Sequence, residues 1–320
     1  MQIELKSIVK PSLAQIILYV ILGLVIWAVT YVGSFYTKGI TLDELLIQLP
    51  DTNLLWRNAA SIGLTVVNAG LLFVLVNRLA FINTRTLLPT FVFSLLIVVW
   101  QPSHEAFKSH IALFLFICAL FCFFDMSHKQ ATEKTFLGNL LITCASLLLN
   151  NLILIIPVCW LGFAVLRSFS FRVFLASILG VIATLLIYFA VIYTVSPIFD
   201  IQTLFNFDFS LDFTIKELQL PTQLYIGSLF VMFFILIFGA YADFHIQNNN
   251  TRRNIYFILI LLICFIIISN FEKTLFSFIA LCFSIFASHI FSTKKSGFYP
   301  ILFLIFLFIN VAFVVYNFLY

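Results

Sequence analysis

Two adjacent carboxylates, Asp43 and Glu44, lead the residues of this chain whose types and spacing could do chemistry. They follow Thr41 in GITLDELLIQLPDTNLLWRN, with Lys38 just before and Asp51 and Arg57 just after. Asp43 as a general base, beside an Arg57 or Lys38 that holds a phosphate, would suit sugar transfer from a polyprenyl-phosphate donor at the outer membrane surface. The same pattern has a plainer reading. Thr41 is a helix N-cap, and acids in the first turn sit where the helix dipole favours them. A second basic pair, Arg167 and Arg172, brackets Ser-Phe-Ser-Phe. It could capture an anionic headgroup or a lipid phosphate, or it could serve topology alone. The pair Asn150-Asn151 would either line a polar cavity or form a wet turn.

Metal chemistry has little to work with. The five histidines are His104, His110, His128, His245 and His289, with no HxxxH or HExxH spacing among them. The motif Cys118-x-x-x-Cys122 has no histidine partner on its side of the membrane, so no metal site and no cofactor is expected. All six cysteines fall inside apolar runs and read as small hydrophobes rather than a disulfide framework. The net charge of +4 comes from scattered basic pairs, not from a stripe that could follow a nucleic-acid backbone.

The elements that must position these residues are set by composition. With 63% hydrophobic and 9% charged residues, against about 25% charged in soluble proteins, the chain reads as one all-α integral-membrane domain spanning 1–320. Apolar runs give about eleven spans (10–12): Gln15–Phe35, Ala59–Val76, Thr86–Gln101, His110–Phe124, Phe136–Leu149, Leu152–Leu166, Val173–Val195, Gln223–Ala240, Ile255–Ser269, Thr274–Phe291 and Phe298–Leu319. The first run is too long, and too poor in small-residue cleavage sites, for a signal peptide, so it reads as a first transmembrane helix.

The stretch Phe136–Leu166 is too long for one crossing and short for two. A tight hairpin turning at Asn150-Asn151 is preferred over one tilted helix, because Asn favours turns and Pro157 removes a backbone donor. The basic residues agree with a hairpin. With the amino terminus cytoplasmic, Lys6, Lys10, Arg78, Arg85, Lys129, Lys134, Arg167, Arg172, Arg252, Arg253, Lys294 and Lys295 share the inner side, twelve of seventeen. A single crossing at 136–166 would invert every later loop. Two outer loops are long, 34–58 and 196–222. The first reads as a short amphipathic surface helix over Thr41–Pro50. The second has Phe205, Phe207, Phe209, Leu211 and Phe213 in alternation, as a strand or a surface-dipping loop would.

The run VNRLAFINTRTLLPTFVFSLLIVVWQP, continued by FLGNLLITCASLLLNNLILIIPVCWLGFAVLRSFSFRVFLASILG, resembles a family of bacterial multi-pass inner-membrane proteins of unassigned activity. Asn77-Arg78, Leu88-Pro89, Gly138, Pro157, Trp160, the Arg167–Arg172 exit and Gly180 carry the resemblance, which covers about a third of the chain, Val76 to Gly180. The family has Pro after the first Arg of the exit, where this chain has Ser168. Some members carry a carotene-cleaving oxygenase label; such oxygenases resemble soluble propellers with four histidines on iron, a set that histidines on both sides of a membrane do not supply. The resemblance implies an envelope location and a topology. The chain is also similar, more distantly, to integral-membrane glycosyltransferases with polyprenyl-linked donors, through its acid-bearing first outer loop.

These readings converge on an inner-membrane protein in contact with membrane lipids, acting in lipid-linked sugar or envelope glycoconjugate metabolism. The alternative is a non-catalytic subunit packing against other membrane proteins.

Overall fold

The computed structural model describes residues 52–78, 86–100, 103, 106–126, 131–195, 220–243, 249–269, 275–293 and 298–319, together with Ile21, Gly23 and Val25. Among the described residues there are ten α-helices and no strand. They are α1 (Thr52–Arg78), α2 (Leu88–Val99), α3 (Phe107–Phe124), α4 (Ala131–Ser146), α5 (Ile155–Val165), α6 (Phe171–Val195), α7 (Leu220–Asp243), α8 (Asn249–Ser269), α9 (Phe276–Thr293) and α10 (Phe298–Leu319). Six of them, α1, α3, α6, α7, α8 and α10, contain stretches long and apolar enough to cross a membrane; α2, α9 and the Asn150–Val165 segment are apolar but shorter. Every described apolar run has thus become a helix. The first run, the acid-bearing 34–51 and most of the second long loop lie outside the described residues.

Helix boundaries follow local chemistry. The sequence reading ended the first outer loop at Asn58, but α1 already starts at Thr52, since Leu54, Leu55 and Trp56 continue its apolar character after Pro50. Pro89 sits in the first turn of α2, where its missing N–H is no loss, and the Thr86 hydroxyl accepts from the Leu88 N–H at 3.1 Å. The other end of α2 stops at Trp100, whose backbone is extended. There the Ser103 hydroxyl lies 2.6 Å from the carbonyl oxygens of both Ile97 and Trp100, meeting groups that helix termination leaves open.

Between α4 and α5 the chain reverses through turn residues and a short 3-10 helix, Asn150–Leu154. Helix α5 ends in a Schellman motif. The Ser168 N–H donates to the Phe163 carbonyl and the Arg167 N–H to the Ala164 carbonyl, both at 3.0 Å, with Arg167 left-handed at φ 58°. Ser170 then caps α6, its hydroxyl accepting from the Val173 N–H at 3.3 Å.

Contacts along the helices give their directions. Asn68, past the middle of α1, meets His110 near the start of α3, and Arg78 meets Asp125 where both helices finish, so α1 and α3 run parallel. Thr135 near the start of α4 reaches Met126 just after α3, so these two are antiparallel. Trp160 of α5 donates to Ser177 of α6, Gly239 late in α7 faces Tyr299 early in α10, and Phe291 late in α9 faces Phe303 of α10. Successive helices therefore alternate in direction throughout. All odd-numbered helices begin at one end of the bundle and all even-numbered helices at the other.

The centre is built from the short helices. Nine of the twelve residues of α2 are buried, and every residue of α9 from Ala280 to Phe291 is buried. Helix α9 packs on α2, α3, α7, α8 and α10. Phenylalanines fill the seams: Phe116 lies edge-on to Phe278 and Phe265, and Phe123 edge-on to Phe163. Each such pair contributes about 0.5–1.5 kcal/mol beyond its burial. The rim helices α6, α7 and α10 turn large apolar side chains outward, among them Leu186, Phe238 and Phe308.

Candidate functional site

At the end where α1 and α3 finish, Asp125 is shared by two cations, Lys134 at 2.9 Å and Arg78 at 3.6 Å. The hydrogen bond from Lys134 is the main reason that this carboxyl is held below its ordinary value; slight burial opposes it, and the charges of Lys134 and Arg78 add to it. Arg167 and Arg172 stand exposed at the same end, on either side of Phe169 and Phe171, which are also exposed. Arg252 and Arg253 open α8 there as well. This is the basic end of the bundle.

The sequence-derived candidates do not converge. Arg57 lies in the second turn of α1, and twenty-one residues at ~1.5 Å each put its backbone ~30 Å from that of Arg78. It cannot share one lipid phosphate with Arg167 and Arg172. Asn150 is exposed at the tip of the α4–α5 reversal, at the end opposite the arginines, and Asn151 is half-buried beside it. Asp43 and Glu44 lie outside the described residues; by sequence, Asp43 precedes α1 by nine positions.

What the sequence reading missed is a buried polar group where the middle of α1 passes the start of α3. On α1, Ser61, Thr65 and Asn68 form one stripe at helical spacing, all buried. The Thr65 hydroxyl donates to the Ser61 carbonyl at 2.8 Å, and the Asn68 amide nitrogen donates across to the His110 carbonyl at 3.0 Å. The His110 ring is fully buried, with Nε2 2.9 Å from the Ser103 carbonyl. A carbonyl only accepts, so Nε2 carries the proton and Nδ1 presents a lone pair. One residue earlier, Ser109 shares a 2.8 Å hydrogen bond with Ser277 at the start of α9.

An aromatic column closes the same end. Trp100 stacks on Phe276 with centroids 4.6 Å apart and lies 6.5 Å from Tyr225, which stacks on Phe313 at 4.1 Å. The Tyr225 hydroxyl donates to Asn310 Oδ1 at 2.9 Å. Four buried polar atoms in this region have no hydrogen-bond partner: Ser61 Oγ, Asn68 Oδ1, Trp100 Nε1 and His110 Nδ1. Leaving such atoms unpaired away from water costs about 1–3 kcal/mol each. A visible signal did exist in the sequence, S-x-x-x-T-x-x-N at the period of a helix inside an apolar run. It gains meaning only once α3 is known to lie opposite.

Among the described residues no group of three or more His, Cys, Asp or Glu could hold a metal ion. No protein-family model, curated protein or solved structure matches the chain.

Proposed function

We propose that this is a multi-pass protein of the bacterial inner membrane that handles a lipid-linked sugar in envelope glycoconjugate metabolism, working at the end of the bundle where α1 begins. In this reading the chain crosses about eleven times, with its amino terminus cytoplasmic and the working end outside. One observation carries the proposal: the segment bearing Asp43 and Glu44 leads into the helix that carries buried Ser61, Thr65 and Asn68, the last of them bonded to His110, so candidate carboxylates and a buried polar patch fall within one stretch, 43–68. Carboxylates supply a general base; the patch supplies neutral hydrogen-bonding groups for hydroxyls. Arg57 in the second turn of α1 is the cation for a lipid phosphate at this end, while Arg167 and Arg172 hold anionic headgroups at the other. The resemblance over Val76–Gly180 is consistent with an envelope location.

The test is replacement of Asp43 by Asn and Glu44 by Gln, singly and together, with protein level measured beside the cell's glycolipid profile. Loss of one glycan species at normal protein level supports the enzyme. An unchanged profile overturns it and favours the second reading, a non-catalytic membrane subunit. That reading draws on the rim, where Phe238 on α7 and Phe308 on α10 are 75% and 74% exposed and offer aromatic surface to a partner helix.

A further inference from the structure

The pairing of α1 with α3 leaves a specific set of hydrogen-bonding capacities unused. Asn68 spends one amide N–H on the His110 carbonyl, and His110 spends Nε2–H on the Ser103 carbonyl. What remains of this linked pair is two acceptors, Asn68 Oδ1 and His110 Nδ1, and the second Asn68 amide N–H, on side chains with no exposed surface. Two turns back along the same face of α1, Ser61 Oγ is buried and unpaired, and it can both donate and accept. Trp100 Nε1, at the break after α2, adds an unpaired donor.

We propose that Asn68 and His110 form a binding subsite for neutral hydroxyl protons, one to each free acceptor. Among the described residues the chemistry favours a neutral occupant over a charged one. A cation would want a carboxylate, and the described acids whose side chains are placed, Asp125 and Glu133, both lie at the basic end. An anion would want a cation, and Lys108, the one basic residue described near this end beyond Arg57, lies two residues before His110 and is exposed while His110 is buried. A lone imidazole nitrogen and an amide oxygen are too few for a structural metal site. Hydroxyl protons fit two neutral acceptors, and a neutral hydroxyl needs no countercharge. The hydroxyl comes from an internal water or from a sugar; only the sugar source rests on the function proposed above.

The experiment is solid-state nuclear magnetic resonance of the full-length wild-type protein, uniformly labelled with 13C and 15N, in bilayers. His110 is assigned through its Ser109–His110–Ile111 backbone correlations. The expected result is an unprotonated Nδ1 whose resonance is moved upfield from that of a bare lone pair, the mark of an accepted hydrogen bond. Magnetisation transfer from water protons to Nδ1 then identifies water as the occupant. A hydrogen-bonded Nδ1 without water transfer identifies a ligand hydroxyl retained by the protein. A bare Nδ1 resonance, or a proton found on Nδ1 instead of Nε2, overturns the proposal. The readout is independent of glycan composition, so the subsite and the proposed function can fail separately.

Discussion

Arg167 holds the left-handed backbone that ends α5, a conformation in which a side chain crowds the following carbonyl. Glycine removes that clash at no loss to the Schellman hydrogen bonds, which use main-chain atoms alone. Arg167→Gly should therefore stabilise the fold by about 1 kcal/mol, read as a higher unfolding temperature in detergent. If Arg167 also holds an anionic headgroup, the same change weakens anionic-lipid binding while raising stability, which separates its two roles. Asp125 gives a pH test. Its folded carboxyl titrates below the ordinary 3.8, so its stabilising contribution is complete above that value and is lost as pH falls through the lowered folded value. Asp125→Asn should lower the unfolding temperature at neutral pH, and the gap to wild type should close in strong acid. The side chain is 43% exposed, so the gap should also be small and shrink with added salt.

At the scale of elements, the pairing of α4 with α6 shows how a comparatively polar helix is accommodated. Thr135, Asn139, Thr143 and Ser146 form a buried stripe along α4, and each returns a hydrogen bond to a carbonyl three or four residues back. Against α4 the facing helix α6 presents Gly180, beside Phe136, Asn139 and Leu140, and Thr184, whose hydroxyl lies 3.4 Å from the Leu140 carbonyl oxygen. A Cβ on Gly180 would stand 2.6 Å from the Phe136 carbonyl oxygen, and backbone cannot swing aside as a side chain can. Close approach through small residues is how membrane helices gain packing where lipid offers no hydrophobic incentive. Gly180→Val should force α4 from α6 and cost about 1–3 kcal/mol, seen as reduced folded yield and a lower unfolding temperature on size exclusion. Gly227→Ala on α7, where an added Cβ meets nothing within 4 Å, should leave both unchanged or slightly improved. The apolar runs were legible because they persist for many residues in one strip of sequence. The pairing was not: Asn139, Thr143 and Ser146 look like interruptions until Gly180, some forty residues away, is placed against them. Asn68 and His110 are the same case, a contact forty-two residues apart that no local pattern announces.

For the whole molecule, alternation of all ten helices sorts the described charges. Arg78, Lys134, Arg167, Arg172, Arg252 and Arg253 gather at one end with Asp125 and Glu133. The loop charges alone already suggested this sorting, since it depends only on where apolar runs begin and stop; the count of crossings and the side facing the cytoplasm are matters of the surrounding bilayer. Single cysteines at Glu133 and Asn150, both exposed and at opposite ends, should label with an impermeant reagent from opposite faces of the membrane in a cysteine-free background. Labelling from one face would mean that the α4–α5 reversal dips into the bilayer without crossing. The central position of α9 bears on how the protein is made. Helices α2 and α3 emerge from the ribosome roughly 150–180 residues before α9 does, an interval of roughly 10–35 seconds at translation speeds of about 5–20 residues per second. Throughout that interval the faces of α2 and α3 that α9 will cover lack their final partner. The interior is thus completed late, by α9 and then α10, after every other described helix has been made.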